Sequence, residues 1–251
     1  MLSKAQISLI TSLQHKKFRK QHGLFIVEGV KSVLEFLSSD YQVHSLYTTA
    51  EARTKMGNLP QKLKCIEVTL SEFQKISGLT NPQGVLALVH LPTIESFDWA
   101  LLRQQHNLLL DDIQDPGNLG TIIRTAEWFG INHIICSVGT VDAFNPKVVQ
   151  ATMGSLARVK IYYTPLANFI DQSEMPTFGA LLDGKSIYKT DFGNAGLIIM
   201  GNEGNGINDD IVEKVDHPIT IPRIGHAESL NVAVASTIFC SEIARQKLEN
   251  G

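Results

Sequence analysis

The residues whose types and spacing best suit chemistry lie in Asp115-Pro116-Gly117-Asn118-Leu119-Gly120-Thr121-Ile122-Ile123-Arg124-Thr125-Ala126. Asn118 offers an amide, and Arg124 a permanent cation with a fork of donors. Before them, Asn107-Leu108-Leu109-Leu110 reads as a buried strand ended by Asp111 and Asp112, after which Asp115-Pro116-Gly117 turns the chain. The helix-like spacing of Ile122, Ile123, Ala126 and Trp128-Phe129 predicts a helix from Gly120 onward. Backbone amides, an amide side chain and a guanidinium then gather beyond the carboxyl end of a strand, where open α/β sheets bind ligands. The same residues also suit an ordinary strand-turn-helix with a surface arginine.

Two later stretches share this strand-loop-helix logic. Leu197-Ile198-Ile199-Met200 is an unbroken apolar run, as expected of a buried parallel strand, and Gly201-Asn202-Glu203-Gly204-Asn205-Gly206 follows at once. Its glycines let the backbone take positive φ and approach a flat ligand. The spacing is not the dinucleotide fingerprint, and no Walker A lysine follows. Glu203 would repel a phosphate cradled there, so the loop suits an adenosine with little negative charge. Ile219-Thr220-Ile221-Pro222 reads as a final strand, Arg223 to Glu228 as a loop, and Ser229 as the cap of a last helix running through Ala235. His226 beside Ser229 raises nucleophilic catalysis, but no Gly-x-Ser-x-Gly elbow exists and capping explains the serine better.

The elements that would position these loops alternate along residues 105–251. Strands are expected at Ile131–Val138, Val159–Tyr163 and Phe178–Leu182. A helix follows Phe144-Asn145-Pro146-Lys147, with Val148, Val149, Ala151 and Met153 facing inward. Asp183-Gly184 turns the chain, which leaves Leu182 at a strand's carboxyl end, where a cofactor could lie against it. Lys147 suits either a phosphate contact or a helix surface. Earlier, Leu24–Val27, Val43–Thr48, Leu63–Val68 and Gln83–Val89 read as strands, Glu28–Leu37 as an amphipathic helix, and Ser71 as a helix cap. Residues 1–91 thus form a small α/β domain and 92–104 a linker that opens on Pro92, leaving 105–251 as the second domain. In the first, Lys16-Lys17-Phe18-Arg19-Lys20 sets four cations around an aromatic, which suits phosphates and a stacked base, or a solvated helix face.

Composition agrees with a packed core: 43% of the 251 residues are hydrophobic and 19% charged. Residues 1–104 carry 12 Lys and Arg against 8 Asp and Glu, and residues 105–251 carry 10 against 17, so the first part is the better match for a polyanion. No apolar run approaches the ~18 residues of a membrane span, and the N-terminus lacks the pattern of a signal peptide. Cys65, Cys136 and Cys240 are odd in number and far apart. They read as buried small apolar residues of a cytoplasmic protein, without metal spacing or a disulfide framework.

Taken together, the three loops are similar to the three signature motifs of SpoU-type (TrmH-like) RNA 2′-O-ribose methyltransferases of the SPOUT superfamily. The matching residues are Asn118, Gly120 and Arg124; Gly201, Asn202, Glu203 and Gly204; and Pro222, Ser229, Leu230, Asn231 and Ala235. The first domain resembles the family's ribosomal-protein-like substrate-binding domain through Phe18-Arg19, Phe25 to Gly29 and Asn81 to Val85. Arg223 stands where an apolar residue is common and Ala233 where Ser is common.

The resemblance implies a parallel sheet with a C-terminal trefoil knot, a homodimer, and no metal. It implies S-adenosylmethionine held near Leu182, Gly201, Asn202, Gly204, Ile221, Pro222, Leu230 and Ala235. It places Arg124, Asn118, Glu203, Asn231 and Ser229 in catalysis, and an RNA, ribosomal by analogy, on the first domain and Lys147. A transfer-RNA target and a non-catalytic RNA-binding protein with this fold are the alternatives.

Overall fold

The computed structural model describes residues 1–93 and 96–250; Ile94 and Glu95 of the expected linker lie outside them. The chain runs through α1 (Lys4–Ser12), α2 (Lys16–His22), β1 (Leu24–Glu28), α3 (Val30–Leu37), β2 (Val43–Thr48), α4 (Ala50–Thr54), β3 (Cys65–Glu67), α5 (Leu70–Gln74) and β4 (Val85–His90). It continues through α6 (Trp99–Leu102), β5 (His106–Leu110), α7 (Pro116–Trp128), β6 (His133–Cys136), α8 (Pro146–Ala151), β7 (Lys160–Tyr163) and α9 (Leu166–Ser173). Last come β8 (Thr177–Ser186), β9 (Gly196–Met200), α10 (Asp209–Val212), β10 (His217–Thr220) and α11 (Val232–Asn250). Two compact units result: Met1–Thr93 with Asp142–Ala157, and Ile94–Val141 with Arg158–Gly251.

The first unit is a four-stranded sheet in the order β1-β4-β2-β3, with only the β2–β3 pair parallel. Ile10, Leu13, Ile26, Phe73, Ile76, Leu86 and Leu88 form its core on one side. The segment 142–157 joins this unit, not the second domain in which the sequence places it. Val148 and Val149 of α8 are buried, α8 packs on β1, and the Phe144 ring lies 4.9 Å from that of Phe25. Arg19 is corrected too. It is only 2% exposed, donates to the carbonyls of Leu13 and Gln14 at 2.9 Å each, and pairs with Asp142 at 2.6 Å. It clamps the 142–157 segment from inside the unit and does not face solvent with its lysine neighbours, as the reading of the basic run had it. Lys16, Lys17 and Lys20 remain exposed on α2. Thr69, not Ser71, caps α5, in a capping box with Glu72. Cys65 is exposed, against expectation, whereas Cys136 and Cys240 are buried.

The second unit is a six-stranded sheet, β10-β8-β9-β5-β6-β7, in which every neighbouring pair is parallel. Its central strands β5 and β9 are buried along their whole length, which is why their sequences are nearly continuous apolar runs. β8 runs on to Ser186, so Asp183-Gly184 does not end it. Its register against β10 jumps from Gly179–Pro218 to Lys185–Ile219, throwing residues 180–184 into a bulge. Leu182 sits on that bulge, 75% exposed. α7 starts at Pro116, earlier than expected: Asp115 is its cap, accepting from Asn118 N at 2.8 Å, and Pro116 fills the first turn. Ile122, Ile123 and Ala126 face the core, but Trp128 is 81% exposed.

Candidate active site

β5 leads through α7 outward to β6, while β9 leads the other way to β10, so the crevice beyond the carboxyl ends of β5 and β9 lies where the connections diverge. Ligands bind at such switch points. Three side chains from three distant loops meet there. The amides of Ala233 and Val234, in the first turn of α11, donate to Asn231 Oδ1 at 2.9 and 3.3 Å. Asn231 Nδ2 donates to Asn118 Oδ1 at 2.9 Å, and Asn118 Nδ2 donates to Glu203 Oε1 at 2.6 Å. The two ends fix the direction of the chain. Backbone N–H groups can only donate and a carboxylate can only accept, so neither asparagine amide can be reversed without breaking a bond. Asn231 is therefore also the cap of α11, and the expected cap, Ser229, is exposed and bonds to no described residue.

The loop bearing Glu203 is tied down by Asn202, expected at the site as a cofactor contact, and by Asp111, Asp112 and Asn208, to which sequence reasoning gave no role there. Asn202 Nδ2 donates to Asp112 O at 2.7 Å, and Asn208 donates from N and Nδ2 to Asp111 Oδ2 at 2.8 and 2.9 Å. Asp112 has a left-handed backbone (φ 55), a conformation that Asp tolerates better than most residues. Burial pushes the Asp111 carboxyl up from its ordinary range; the Asn208 bonds oppose this, and Asp112 and Asp210 add to it. Of the three glycines in the loop, only Gly206 has positive φ. Gly201 is required for a different reason: a Cβ there would lie 2.2 Å from the Gly206 carbonyl carbon. Its small size thus serves closure of the loop itself.

Arg124 lies outside the hydrogen-bonded chain. It is six residues beyond Asn118 on α7, hence ~9 Å along the axis and ~120° around it. It is exposed and has no partner among the described residues. The remaining cofactor candidates lie on or next to the loops that follow β9 and β10 and on the β8 bulge. Gly204, Pro222 and Leu230 are exposed, Ile221 is half-buried after β10, and Ala235 N bonds to Asn231 O in the first turn of α11. Leu182, Ile224 and Leu230 are exposed apolar side chains, and the one charge of the glycine loop is negative; such groups suit a flat adenosine and a cationic sulfonium better than a polyphosphate. Among the described residues no cluster of His, Cys, Asp or Glu could hold a metal ion, and no helix is long and apolar enough to cross a membrane.

Comparison with known proteins gives the same answer. Residues 105–241 match the SpoU rRNA Methylase family, and residues 4–87 match the MRM3-like substrate binding domain. The chain is 33% identical, over 90% of each chain, to the 23S rRNA (guanosine(2553)-2′-O)-methyltransferase RlmP of Bacillus subtilis. Its structure superposes on a TrmH-family protein from Porphyromonas gingivalis with TM-score 0.89 and 38% identity, covering 98% of this chain and 99% of that one. An AdoMet-bound rRNA methyltransferase from Sinorhizobium meliloti gives TM-score 0.87 and 28% identity, covering 99% and 97%. With all three motif loops in one crevice and the family match running from residue 105 to residue 241, more than half of the chain, the chain belongs to the SpoU rRNA methylase family, whose members are S-adenosylmethionine-dependent RNA methyltransferases.

Proposed function

We propose that the chain methylates a ribose 2′-hydroxyl of ribosomal RNA and that the Asn231–Asn118–Glu203 chain orients the reacting group. That chain is the observation that carries the reading: it joins the three loops through bonds whose direction is fixed at both ends. When bound, S-adenosylmethionine supplies an electrophilic methyl on its sulfonium. The protein must hold the ribose oxygen in line with it and manage charge. Glu203 and the two asparagines set the orientation of the hydroxyl. Arg124, a guanidinium that only donates, stabilises the negative charge developing on the oxygen and grips the adjacent phosphate. Exposed Lys16, Lys17 and Lys20, with half-buried Phe18, give the first unit a surface for the rest of the RNA.

We further propose a homodimer. Arg124 is turned away from Asn118 on α7, its neighbour one turn on is the exposed Trp128, and Val234 is exposed on α11, which packs against α7. A second copy on this face would cover the apolar groups and receive the arginine. The trefoil knot and a cytoplasmic location complete the proposal, the latter supported by three free cysteines.

The test is methyl transfer from labelled S-adenosylmethionine to unmodified ribosomal RNA, with the products mapped for 2′-O-methylation. The wild type should mark a defined ribose. Arg124→Ala should abolish transfer while cofactor binding, measured by calorimetry, persists. Full turnover in that variant refutes the role of Arg124, and RNA binding without any transfer by the wild type identifies a non-catalytic protein.

A further inference from the structure

Glu203 stands on a stretch with little else to hold it. Residues 203–206 are all exposed, and the carboxylate meets Asn118 only if the loop presents it across the crevice. The neighbouring Asn202 controls that presentation. Its backbone N and O both bond to Gly206, at 2.8 and 3.0 Å, closing the loop on itself. Its side-chain Oδ1 accepts from Gly204 N at 2.8 Å and Asn205 N at 3.1 Å, which shapes the turn around Glu203. Its Nδ2 reaches across to Asp112 O at 2.7 Å. That carbonyl is a fixed point, because Asp112 N is held by Ser137 Oγ at 2.8 Å and the Asp112 side chain by Gln114 Nε2 at 2.6 Å. Both ends of the Asn202 amide are therefore engaged within the protein.

We infer that Asn202 is a positioning residue that staples the Glu203 loop to the β5–α7 loop and so sets the Glu203–Asn118 distance, and is not a ligand of the cofactor. The inference rests on the role given to Glu203. The Asn208–Asp111 bonds make a second tie at the far end of the same loop, but they lie five residues beyond Glu203 and leave its immediate turn free. Without the Asn202 staple the turn keeps its internal bonds and can rock away from α7. Misplacement of a reacting group by ~1 Å is enough to cost ~100-fold in rate.

Asn202→Asp isolates the staple. It retains Oδ1 for Gly204 and Asn205 but faces the Asp112 carbonyl with an oxygen. The expected result is a fall in kcat of tenfold or more, with the calorimetric Kd for S-adenosylmethionine changed less than threefold and Tm nearly unchanged. In a Glu203→Gln background the same substitution should change kcat less than threefold, since the group it positions is already disabled. Should Asn202→Asp fail to fold, Asn202→Ser, whose short hydroxyl can meet Gly204 N but not Asp112 O, carries the same expectation. A raised Kd with unchanged kcat overturns the inference and makes Asn202 a cofactor ligand. Full multiplicative effects in the double variant overturn it too, by showing that Asn202 does not act through Glu203. Full activity of Glu203→Gln alone refutes the reading of Glu203 itself, and the inference falls with it.

Discussion

Asn231 does two jobs with the two ends of one amide, and Asn231→Asp separates them. The oxygen that caps α11 is retained, and Asp caps a helix as well as Asn. A negative charge at a helix N-terminus adds ~0.3–1 kcal/mol. Stability is therefore held or slightly raised. The donor to Asn118 Oδ1 is lost, at ~0.5–1.5 kcal/mol. The new oxygen also faces Asn118 Oδ1, so the Asn118 amide turns over to donate to it. That presents an oxygen to Glu203 and removes a bond to a charged group worth ~1.5–3 kcal/mol. Because the turned amide regains a bond at position 231, the ~1.5–3 kcal/mol lost at Glu203 sets the rate loss, ~10- to 150-fold, nearer the lower end because water competes at this half-open site. Single-turnover methyl transfer at saturating cofactor, with a thermal melt of the same sample, measures both quantities. Asn231→Ala is the control: it loses the cap, and ~1 kcal/mol should lower Tm by ~2–4 °C in a chain of this size. Near-normal transfer by Asn231→Asp, or a drop in Tm as large as that of Asn231→Ala, would refute the directed chain.

Arg19→Leu should destabilise the first unit by ~3–5 kcal/mol, because it strands the Asp142 carboxylate, the buried Leu13 carbonyl and the partly buried Gln14 carbonyl. Lys20→Ala, exposed on the same helix, should leave chemical denaturation unchanged, and equal effects of the two would return Arg19 to the surface. For the dimer, equal amounts of inactive Arg124→Ala and Glu203→Gln chains should be unfolded together and refolded. If Arg124 serves the partner's crevice, half of the dimers are mixed and each holds one intact site, giving ~25% of wild-type activity. No recovered activity places Arg124 and Glu203 in the same chain's site.

The sequence made the sheet legible wherever burial on both faces forced an unbroken apolar run: Leu108–Leu110 and Leu197–Met200 are adjacent parallel strands. It was less informative where a polar residue could serve as either a turn or a cap. Asp115-Pro116 carries the signature of a helix start, a capping side chain followed by proline, yet it also reads as a turn; which one applies depends on the tertiary path of the next residues. Ser229 and Asn231 are equally good caps by type, and the choice fell to the one whose other end had a partner across the crevice. The basic run at 16–20 shows the same limit: composition groups Arg19 with its neighbours, whereas the helix turns it inward to meet Asp142, 123 residues away.

The pattern in these misassignments has a physical cause that bears on the mechanism. Arg19 and Asn231 make their decisive bonds to groups far along the chain, and no local propensity encodes such a bond. The three motif loops depend on the same kind of bond: Asn118 to Glu203 spans 85 residues and Asn231 to Asn118 spans 113. An orientation chain built this way exists only when β5, β9 and α11 are in register together. Local opening of any one of them, for instance release of the Asn202 staple, would disable the site before the fold is lost. Activity should therefore fail at a lower denaturant concentration than the sheet does, and coincident loss of activity and far-ultraviolet circular dichroism would show instead that the crevice is as rigid as the core beneath it.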